Sequence, residues 1–240
     1  MPGLVEASDG NLYAVKMRGA GQGLLVLVAE IIVGELARTL GLNIPDIVLV
    51  ELEDSFGRQE RDPEIRALLR ASTGINMGLG FLSGSTTFDP AAGDTESSNT
   101  ASLIVWLDAF VMNVDRTTRN PNLLRYLLET WLIDHGASLY FHHDWDSAGS
   151  KVASPFELVR DHVLLPWADN MGAASRFGHQ KISEAELKRI VDLVPAEWLT
   201  LNNDVPADEW RERYVRFLTE RLQNSVVFEE EVRRVRSSSL

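Results

Sequence analysis

The sequence predicts an α+β protein in which a small mixed α/β lobe precedes a larger, mainly helical lobe. Residues 1–85 combine short strand patterns with one long apolar helix, whereas helical periodicity dominates residues 86–240. Near the start of the chain, Asp9-Gly10 lies between two short apolar runs, which is a strong signal for a β-hairpin. Because 240 residues are enough for one domain of two lobes, we expect a single domain over residues 1–240.

Composition and charge argue against several classes of partner. The net charge is −12, whereas proteins that bind nucleic acid usually present a basic surface to the phosphates. The longest apolar run, residues 24–33, is interrupted by Glu30 and is shorter than the roughly 18 residues that span a bilayer. The chain has no cysteine and no signal-peptide pattern at its start. We therefore expect a cytoplasmic protein that has no nucleic-acid or membrane partner.

The second strand of the predicted hairpin carries the first candidate site residues. Within Leu12–Lys16, the alternation of a strand places Ala14 and Lys16 on one face. A small side chain makes room for a nucleotide base, and a lysine two residues later reaches the phosphates. A lone lysine at an exposed strand end is the ordinary alternative. The interpretation therefore depends on an acidic partner for Lys16 elsewhere in the chain.

A long apolar helix is predicted over residues 24–40, and Gly41 is a suitable C-terminal stop. Glu30 lies within the apolar surface of this helix, and a buried carboxylate must be paired or protonated. Lys16 is the expected partner of Glu30. Glu35 on the same helix is a rival for that pairing, and a Glu30 side chain that reaches the surface is the alternative.

Residues 106–140 carry the remaining candidates. An apolar helix ends at Asn113, and a polar loop follows with Asp115 and Asn120 in the pattern D-x-x-x-x-N. A short strand then leads to the turn Asp134-His135-Gly136. Phosphoryl transfer needs one carboxylate near the attacking hydroxyl, and a carboxylate with an amide to hold magnesium on the phosphates. Taken alone, D-x-x-x-x-N also suits a polar loop that caps a helix.

Together these segments resemble the catalytic and metal-binding loops of the protein-kinase-like superfamily, and most closely those of the HipA-like kinases. Tyr13-Ala14-Val15-Lys16 is similar to the V-A-I-K strand of kinases. Residues 30–41 resemble a HipA-like pattern in which a glutamate precedes L-A-R-x-L-G-L. Asn113 stands where protein kinases have the histidine of their H-R-D loop, which favours the HipA-like and lipid-kinase branch.

The resemblance implies a protein-kinase-like two-lobed fold, with lobes 1–85 and 86–240, and a role for each candidate residue. It identifies Asp115 as the catalytic aspartate, and Asn120 and Asp134 as the magnesium ligands. Lys16 and Glu30 would form the lysine–glutamate pair of active kinases. The residues that would bind ATP are Ala14, Lys16, Asn120 and Asp134.

The implied function is transfer of the γ-phosphoryl group of ATP, with Mg²⁺, to a hydroxyl group, most simply a serine or threonine of a protein. Two alternatives stay open: a nucleotide-binding pseudokinase that acts as an interaction module, and a kinase for a small molecule or lipid. The acidic composition disfavours a lipid head group. Loss of a catalytic residue is the usual sign of a pseudokinase, and the expected residues are all present. They are Lys16, Asp115, Asn120 and Asp134.

Five other segments contain no residue to which a catalytic role is assigned. Residues 76–90 are rich in glycine and are expected to cross between the lobes beside the adenine pocket. Residues 18–23 are expected to form a mobile connection, and contact of their backbone with phosphate is the alternative. The segment 142–146 has histidine and aspartate, but its spacing is not that of a zinc site, so we expect a solvated loop. Asp161-His162 receives no role, and the arginines of residues 233–236 are interpreted as the solvated end of a helix.

Overall fold

The small lobe is built on a four-stranded antiparallel sheet. The computed structural model describes residues 2–21, 23–199 and 205–239. The strands of this sheet are β1 (Gly3–Glu6), β2 (Leu12–Lys16), β3 (Ile47–Leu52) and β4 (Gly74–Gly80). Their spatial order is β1-β2-β4-β3. The first two strands form the predicted hairpin, and Gly10 at its tip has a φ of 79°, a left-handed conformation that favours glycine.

Strand β4 occupies part of the segment for which the sequence predicts a crossing between lobes. The prediction for residues 76–90 is wrong in its first half, because Gly74–Gly80 pairs with both β2 and β3 in the middle of the sheet. A Cβ atom at Gly78 would lie 2.9 Å from Val50 Cγ2 and 3.0 Å from Val48 Cγ2. The glycine therefore permits close side-chain packing over a strand, and the chain leaves the sheet only after Gly80.

Two helices complete the small lobe. Helix α1 (Leu24–Thr39) is buried over most of its length, as the sequence predicts, and Gly41 follows it with a φ of 72°. Helix α2 (Pro63–Ala71) is capped by Asp62, whose carboxylate accepts a hydrogen bond from the backbone nitrogen of Glu64 at 2.8 Å. Because α1 packs with its apolar surface inward, it brings Glu30 into the interior.

The larger lobe is mainly helical and contains one small sheet. Its helices are α3 (Ser98–Val111), α4 (Trp145–Lys151), α5 (Met171–Lys181), α6 (Glu184–Val191), α7 (Ala207–Gln223) and α8 (Ser225–Ser239). The sheet has the order β5 (Thr86–Thr87), β6 (Leu123–Tyr126) and β7 (Glu129–Leu132). Short 3₁₀ turns lie at Pro90–Ala92, Tyr140–His143, Glu157–Asp161, Leu165–Trp167 and Ala196–Leu199. The predicted α+β organisation, with a small sheet lobe followed by a mainly helical one, is confirmed.

Helix α3 lies at the centre of the large lobe and ends where the D-x-x-x-x-N loop begins. Trp106 is fully buried and stacks on Phe110 with 5.5 Å between the ring centroids. From α7, the buried guanidinium of Arg221 donates to the carbonyl oxygens of Ala109 at 2.8 Å and Phe110 at 2.7 Å. These contacts satisfy carbonyl groups that the last turn of a helix leaves unpaired. The start of the loop after α3 is therefore held by the core of the lobe.

The helices of the described residues include none that is both long and apolar enough to cross a membrane.

Candidate active site

Lys16, at the end of β2, joins the small lobe to the turn at residues 134–136. Its Nζ contacts Glu30 Oε1 and lies 2.5 Å from Asp134 Oδ1. Glu30 is fully buried, whereas the side chain of Asp134 is half exposed. The rival Glu35 instead pairs with Arg38, one helical turn away, at 3.3 Å. The sequence therefore predicted the partner of Lys16 correctly, and the structure adds a second carboxylate.

The three charged groups shift one another's protonation equilibria. Burial alone would lower the pKa of Lys16, but Glu30 and Asp134 outweigh it and hold that pKa above its usual value. Burial raises the pKa of Glu30, and the nearby Asp134 adds to this effect. Burial also acts to raise the pKa of Asp134, but the Lys16 ammonium outweighs it and holds that pKa below its usual value. The ammonium is thus firmly charged, and Asp134 is the more readily ionised of its two partners.

The turn at residues 134–136 has a backbone that brings it close to α1. Asp134 adopts a φ of 55°, a left-handed conformation that aspartate tolerates better than most residues. A Cβ atom at Gly136 would lie 2.4 Å from Val26 Cγ1 and 3.0 Å from Glu30 Oε1. The glycine is therefore needed for close approach, because any side chain at residue 136 would push the turn away from Glu30.

The loop after α3 holds the carboxylate of Asp115 through amide groups. Asn120 Nδ2 donates to Asp115 Oδ2 at 2.7 Å, and Asn122 Nδ2 donates to the same oxygen at 3.3 Å. The backbone nitrogen of Asp115 donates to Asn113 Oδ1 at 3.1 Å. The loop closes on itself where the backbone nitrogen of Thr117 donates to the carbonyl oxygen of Asn120 at 3.0 Å. Asp115 and Asn120 are thus in direct contact, and Asp115 is ordered by several donors.

A buried polar cluster beneath this loop was not predicted from the sequence. Its centre is Asp108 in α3, which accepts from Arg116 Nε at 2.5 Å, His162 Nε2 at 2.9 Å and Asn113 Nδ2 at 3.0 Å. Burial acts to raise the pKa of Asp108, but the Arg116 guanidinium and the hydrogen bonds from His162 and Asn113 hold it well below its usual range. The ionised Asp108 therefore fixes both Asn113 and Arg116, which flank the loop residue Asp115.

Arg116 extends this cluster to the turn at residues 134–136. Its Nη1 donates to the carbonyl oxygen of Asn122, and its Nη2 lies 3.2 Å from His135 Nδ1. Burial and the Arg116 guanidinium lower the pKa of His135 to about 3, so this ring is neutral. Because a guanidinium can only donate, His135 accepts at Nδ1. The loop that carries Asp115 and the turn that carries Asp134 are consequently tied to the same buried cation.

A sequence signal for the cluster did exist. Asp108 interrupts an apolar helical run, as Glu30 does in α1, and a carboxylate at such a position requires a partner. Asp161-His162 was left without a role, yet His162 is buried against Asp108. The expected solvated loop at residues 142–146 is also wrong for His142, which is buried and lies 3.0 Å from the hydroxyl of Tyr214.

A cleft of about 470 Å³ lies where the two lobes meet. Lys16, Asp115 and Asp134 all line it, together with the short loop before α1. The remaining lining residues are Pro2, Met17, Ala20, Gly23, Val26, Leu27, Gly136, Ala137 and His143. In the described part of the chain, Ala14 and Asn120 are not among the residues that line this cleft. Ala14 nevertheless lies on the same face of β2 as Lys16. Asn120 is linked to the cleft by its hydrogen bond to Asp115. The structure thus brings three of the candidate residues to one cavity and a fourth, Glu30, directly behind it.

A small sheet lobe, a mainly helical lobe and a cleft where they meet are the architecture of a kinase fold. The profile of the HipA-like kinases matches residues 1–229, and the chain belongs to that family. Among solved structures, it is similar to a Helicobacter pylori proinflammatory kinase, CtkA. The two share 15% identity over 99% of this chain and 94% of that chain, with a TM-score of 0.55, which shows a common kinase fold. No curated protein matched the chain. The predicted family and the two-lobed kinase-like fold class are confirmed.

Proposed function

We propose that this kinase transfers the γ-phosphoryl group of ATP to a hydroxyl group, most simply to a serine or threonine of a protein. The observation that carries the proposal is the contact of Lys16 with both Glu30 and Asp134 at a cleft that Asp115 also lines. A cation held by two carboxylates, beside a separate carboxylate, supplies the charges that phosphoryl transfer requires. Membership of the HipA-like kinase family supports the same reaction.

In this proposal, Lys16 binds the phosphates of ATP. The lysine is 15% exposed and faces the cleft, so its ammonium is accessible to an anion there. Glu30 is fully buried and remains paired with Lys16, which keeps the ammonium in place. Asp134 is half exposed and can exchange its contact with Lys16 for one with a ligand. Ala14 lies two residues before Lys16 on the same strand face, and we place it beside the base.

Asp134 and Asn120 are proposed to hold Mg²⁺, and their donor atoms fit that ion. Mg²⁺ is usually bound by one or two protein oxygen ligands, with waters and substrate phosphates completing its coordination. Among the described residues there is no group of three or more His, Cys, Asp or Glu side chains that could hold a metal. Asn120 uses its Nδ2 to donate to Asp115, which leaves its carbonyl oxygen as a possible ligand. When bound, Mg²⁺ neutralises the charge that develops on the phosphates.

Asp115 is proposed to orient the acceptor hydroxyl and to receive its proton. A general base must be held within hydrogen-bond reach of that proton. The side chains of Asn120 and Asn122 donate to one oxygen of the carboxylate, and they position its other oxygen. The buried Asp108–Arg116 pair supports this geometry from below, because Arg116 directly follows Asp115 in the chain. Residues 1–85 and 86–240 are, in this proposal, the two lobes of one catalytic domain.

Two alanine variants test the proposal. Asp115→Ala is expected to lower turnover by roughly 100-fold or more while ATP affinity is nearly kept, because a positioned base acts late in the reaction. Asp134→Ala is expected to lose turnover and also the magnesium-dependent part of ATP affinity. Binding is measured by thermal shift with ATP, with and without Mg²⁺, and turnover by ATP consumption in the presence of a mixture of protein acceptors.

Wild-type protein gives the first decisive result. At a hundredfold excess over its dissociation constant, a ligand that binds only the folded state adds about 2.7 kcal/mol to its stability. Folded protein that shows no thermal shift with millimolar ATP and Mg²⁺ would contradict the proposal. Loss of ATP binding in Asp115→Ala, with binding intact in Asp134→Ala, would mean that the two roles are reversed.

A further inference from the structure

A second cleft, of about 680 Å³, lies on the large lobe directly beside the D-x-x-x-x-N loop. Loop residues 117–119 line one part of it, and residues of the segment 160–166 line another. Arg236 from α8 completes the lining. This cavity is separate from the cleft that Lys16 and Asp134 line, and the proposed nucleotide-binding residues do not contribute to it.

The loop of Asp115 and the segment 160–166 form one continuous piece of structure. The backbone nitrogen of Val163 donates to the carbonyl oxygen of Arg116 at 3.1 Å. Thr117 and His162 form an antiparallel β-bridge, and the backbone nitrogen of Thr117 lies 3.1 Å from the carbonyl oxygen of Asp115. The lining of the cleft therefore begins two residues after Asp115 in the chain, and the loop that carries Asp115 separates this cleft from the one that Lys16 and Asp134 line.

The charge of this cleft is opposite to that of the whole chain. The chain has a net charge of −12, but the lining contains Arg119, Arg160 and Arg236 against a single carboxylate, Asp161. In the described part of the chain, Arg119 is exposed and forms no ion pair. Arg160 lies 3.7 Å from Asp161, and both side chains are more than half exposed. Such exposed pairs contribute little, so an incoming anion can replace them.

Arg236 is held in place by the large lobe rather than by a strong ion pair. Its Nη2 donates to the carbonyl oxygen of Pro166 at 3.4 Å, and it lies 4.0 Å from Asp169. Its side chain is about one quarter exposed. Beside these cations the exposed ring of Pro166 lines the cleft, over the buried side chains of Val163 and Leu165. The guanidinium groups suit a peptide with carboxylate side chains, because arginine binds carboxylates through two parallel hydrogen bonds.

We propose that this cleft binds the phosphoryl acceptor, and that the acceptor is an acidic segment of a protein. Its carboxylates would bind Arg119, Arg160 and Arg236, and its serine or threonine hydroxyl would then lie toward Asp115. This inference rests on the proposed kinase function and adds the chemical class of the acceptor to it. Electrostatic complementarity of this kind mainly governs specificity and association rate, and it weakens as salt increases.

The test compares two fluorescent peptides that have the same central serine, flanked by glutamates in one and by lysines in the other. Wild-type protein, with an ATP analogue that cannot be hydrolysed, is expected to bind the acidic peptide more tightly by tenfold or more, about 1.4 kcal/mol. Affinity should fall as sodium chloride is raised. With ATP and Mg²⁺, kcat/KM should follow the same preference.

Charge reversal in the cleft supplies the matched comparison. Arg160→Glu and Arg236→Glu are each expected to lower affinity for the acidic peptide by about tenfold. Arg58→Glu is the control, because Arg58 is similarly exposed, at 66% against 63% for Arg160, and belongs to the small lobe. It should leave peptide binding unchanged. Urea unfolding of each variant verifies that a lost affinity is not a lost fold, and ATP thermal shifts should equal that of wild type.

The outcomes separate this inference from the kinase proposal. Absence of any ATP binding would overturn the proposed function itself. Normal ATP binding with equal or weaker affinity for the acidic peptide than for the basic one would overturn only the acidic acceptor. Equal loss of affinity in Arg58→Glu and Arg160→Glu would likewise overturn it, since the effect would then come from net charge. Tighter binding of a single-stranded RNA than of the acidic peptide, lost in Arg160→Glu, would assign the cleft to a different class of partner and also overturn the inference.

Discussion

Replacement of Asp108 by asparagine is expected to destabilise the fold and to slow the reaction through the loop of Asp115. Asp108 accepts three side-chain hydrogen bonds, from Arg116, His162 and Asn113, and two of them reach the same oxygen. Asparagine keeps the shape of the side chain but replaces one acceptor oxygen with a donor. At least one of the three donors then loses its acceptor, and Arg116 keeps its charge without a buried counterion.

The magnitude follows from the burial of the pair. The side chains of Asp108 and Arg116 are both fully buried. Removal of one partner of a buried ion pair typically costs about 3–5 kcal/mol. Arg116 also donates to the carbonyl oxygen of Asn122, which remains in the variant, so we expect the lower end, about 3 kcal/mol. Domain stabilities are roughly 5–15 kcal/mol, and Asp108→Asn therefore takes a large share of the total while leaving folded protein to assay.

Urea unfolding measures this loss, and Asp192→Asn is the control. Asp192 is an exposed carboxylate that lies 3.2 Å from Lys188 one turn earlier in the chain, and its replacement should change stability by no more than about 0.5 kcal/mol. In folded Asp108→Asn protein, ATP turnover should fall more than ATP affinity, since the loosened loop carries Asp115 rather than Lys16. A variant within about 1 kcal/mol of wild type would refute the role assigned to the buried pair.

Three further changes follow from the geometry of the site. Glu30→Gln leaves Lys16 with Asp134 as its remaining ion pair, and we expect the free energy of unfolding in urea to fall by about 1–3 kcal/mol. Unchanged stability would show that the buried charge is unimportant. Gly136→Ala places a methyl group 2.4 Å from a side-chain carbon of Val26, and we expect it to lower the free energy of unfolding by about 1–3 kcal/mol. It should also weaken ATP binding in thermal shifts. A variant with unchanged stability and ATP binding would contradict the close packing. Burial lowers the pKa of His142 to about 3, as it does that of His135, so below pH 6.5 the unfolded state binds protons at both residues that the folded state does not. Each of the two histidines should therefore lower stability by up to about 1.4 kcal/mol per pH unit as the pH is lowered. His142→Phe should make this pH dependence shallower in urea unfolding at pH 7 and 5, and an unchanged slope would exclude His142 as its source.

The parts of the site that could be predicted from the sequence are those defined by neighbours along the chain. The strand Leu12–Lys16 is recognised by alternation, and Glu30 by its apolar neighbours in one helix. The same burial argument applies to Asp108, but the apolar residues around Asp108 were used only to predict a helix from their periodicity. His162 had no such local signal, because it meets Asp108 across 54 residues of sequence. Its contact with Asp108 is formed only in the tertiary structure.

Long-range packing also explains why the arginine-rich second cleft could not be seen beforehand. Residues 117–119, the segment 160–166 and Arg236 are far apart in sequence, and only the fold brings them to one cavity. The arginines of residues 233–236 were interpreted together as a solvated helix end. That view suits Arg233 and Arg234, which pair with Glu229 and Glu231 on their own helix. Arg236 differs, because it reaches the carbonyl oxygen of Pro166.

The hydrogen bonds from Arg221 to the end of α3 have a consequence for the order in which the protein folds during its synthesis on the ribosome. Arg221 bonds to carbonyl oxygens of Ala109 and Phe110, and also to those of Lys151 and Val152. The loop that carries Asp115 is synthesised about midway through the chain, yet Arg221, which fixes the helix before it, is made more than one hundred residues later. A nascent chain that ends before α7 lacks the guanidinium that donates to these carbonyl oxygens. The small lobe also depends on late segments, because Thr39 Oγ1 donates to Glu186 Oε1 at 2.7 Å and Trp198 Nε1 donates to the carbonyl oxygen of Ile75 at 3.1 Å. Neither lobe can therefore complete its native contacts until the C-terminal part of the chain has been synthesised.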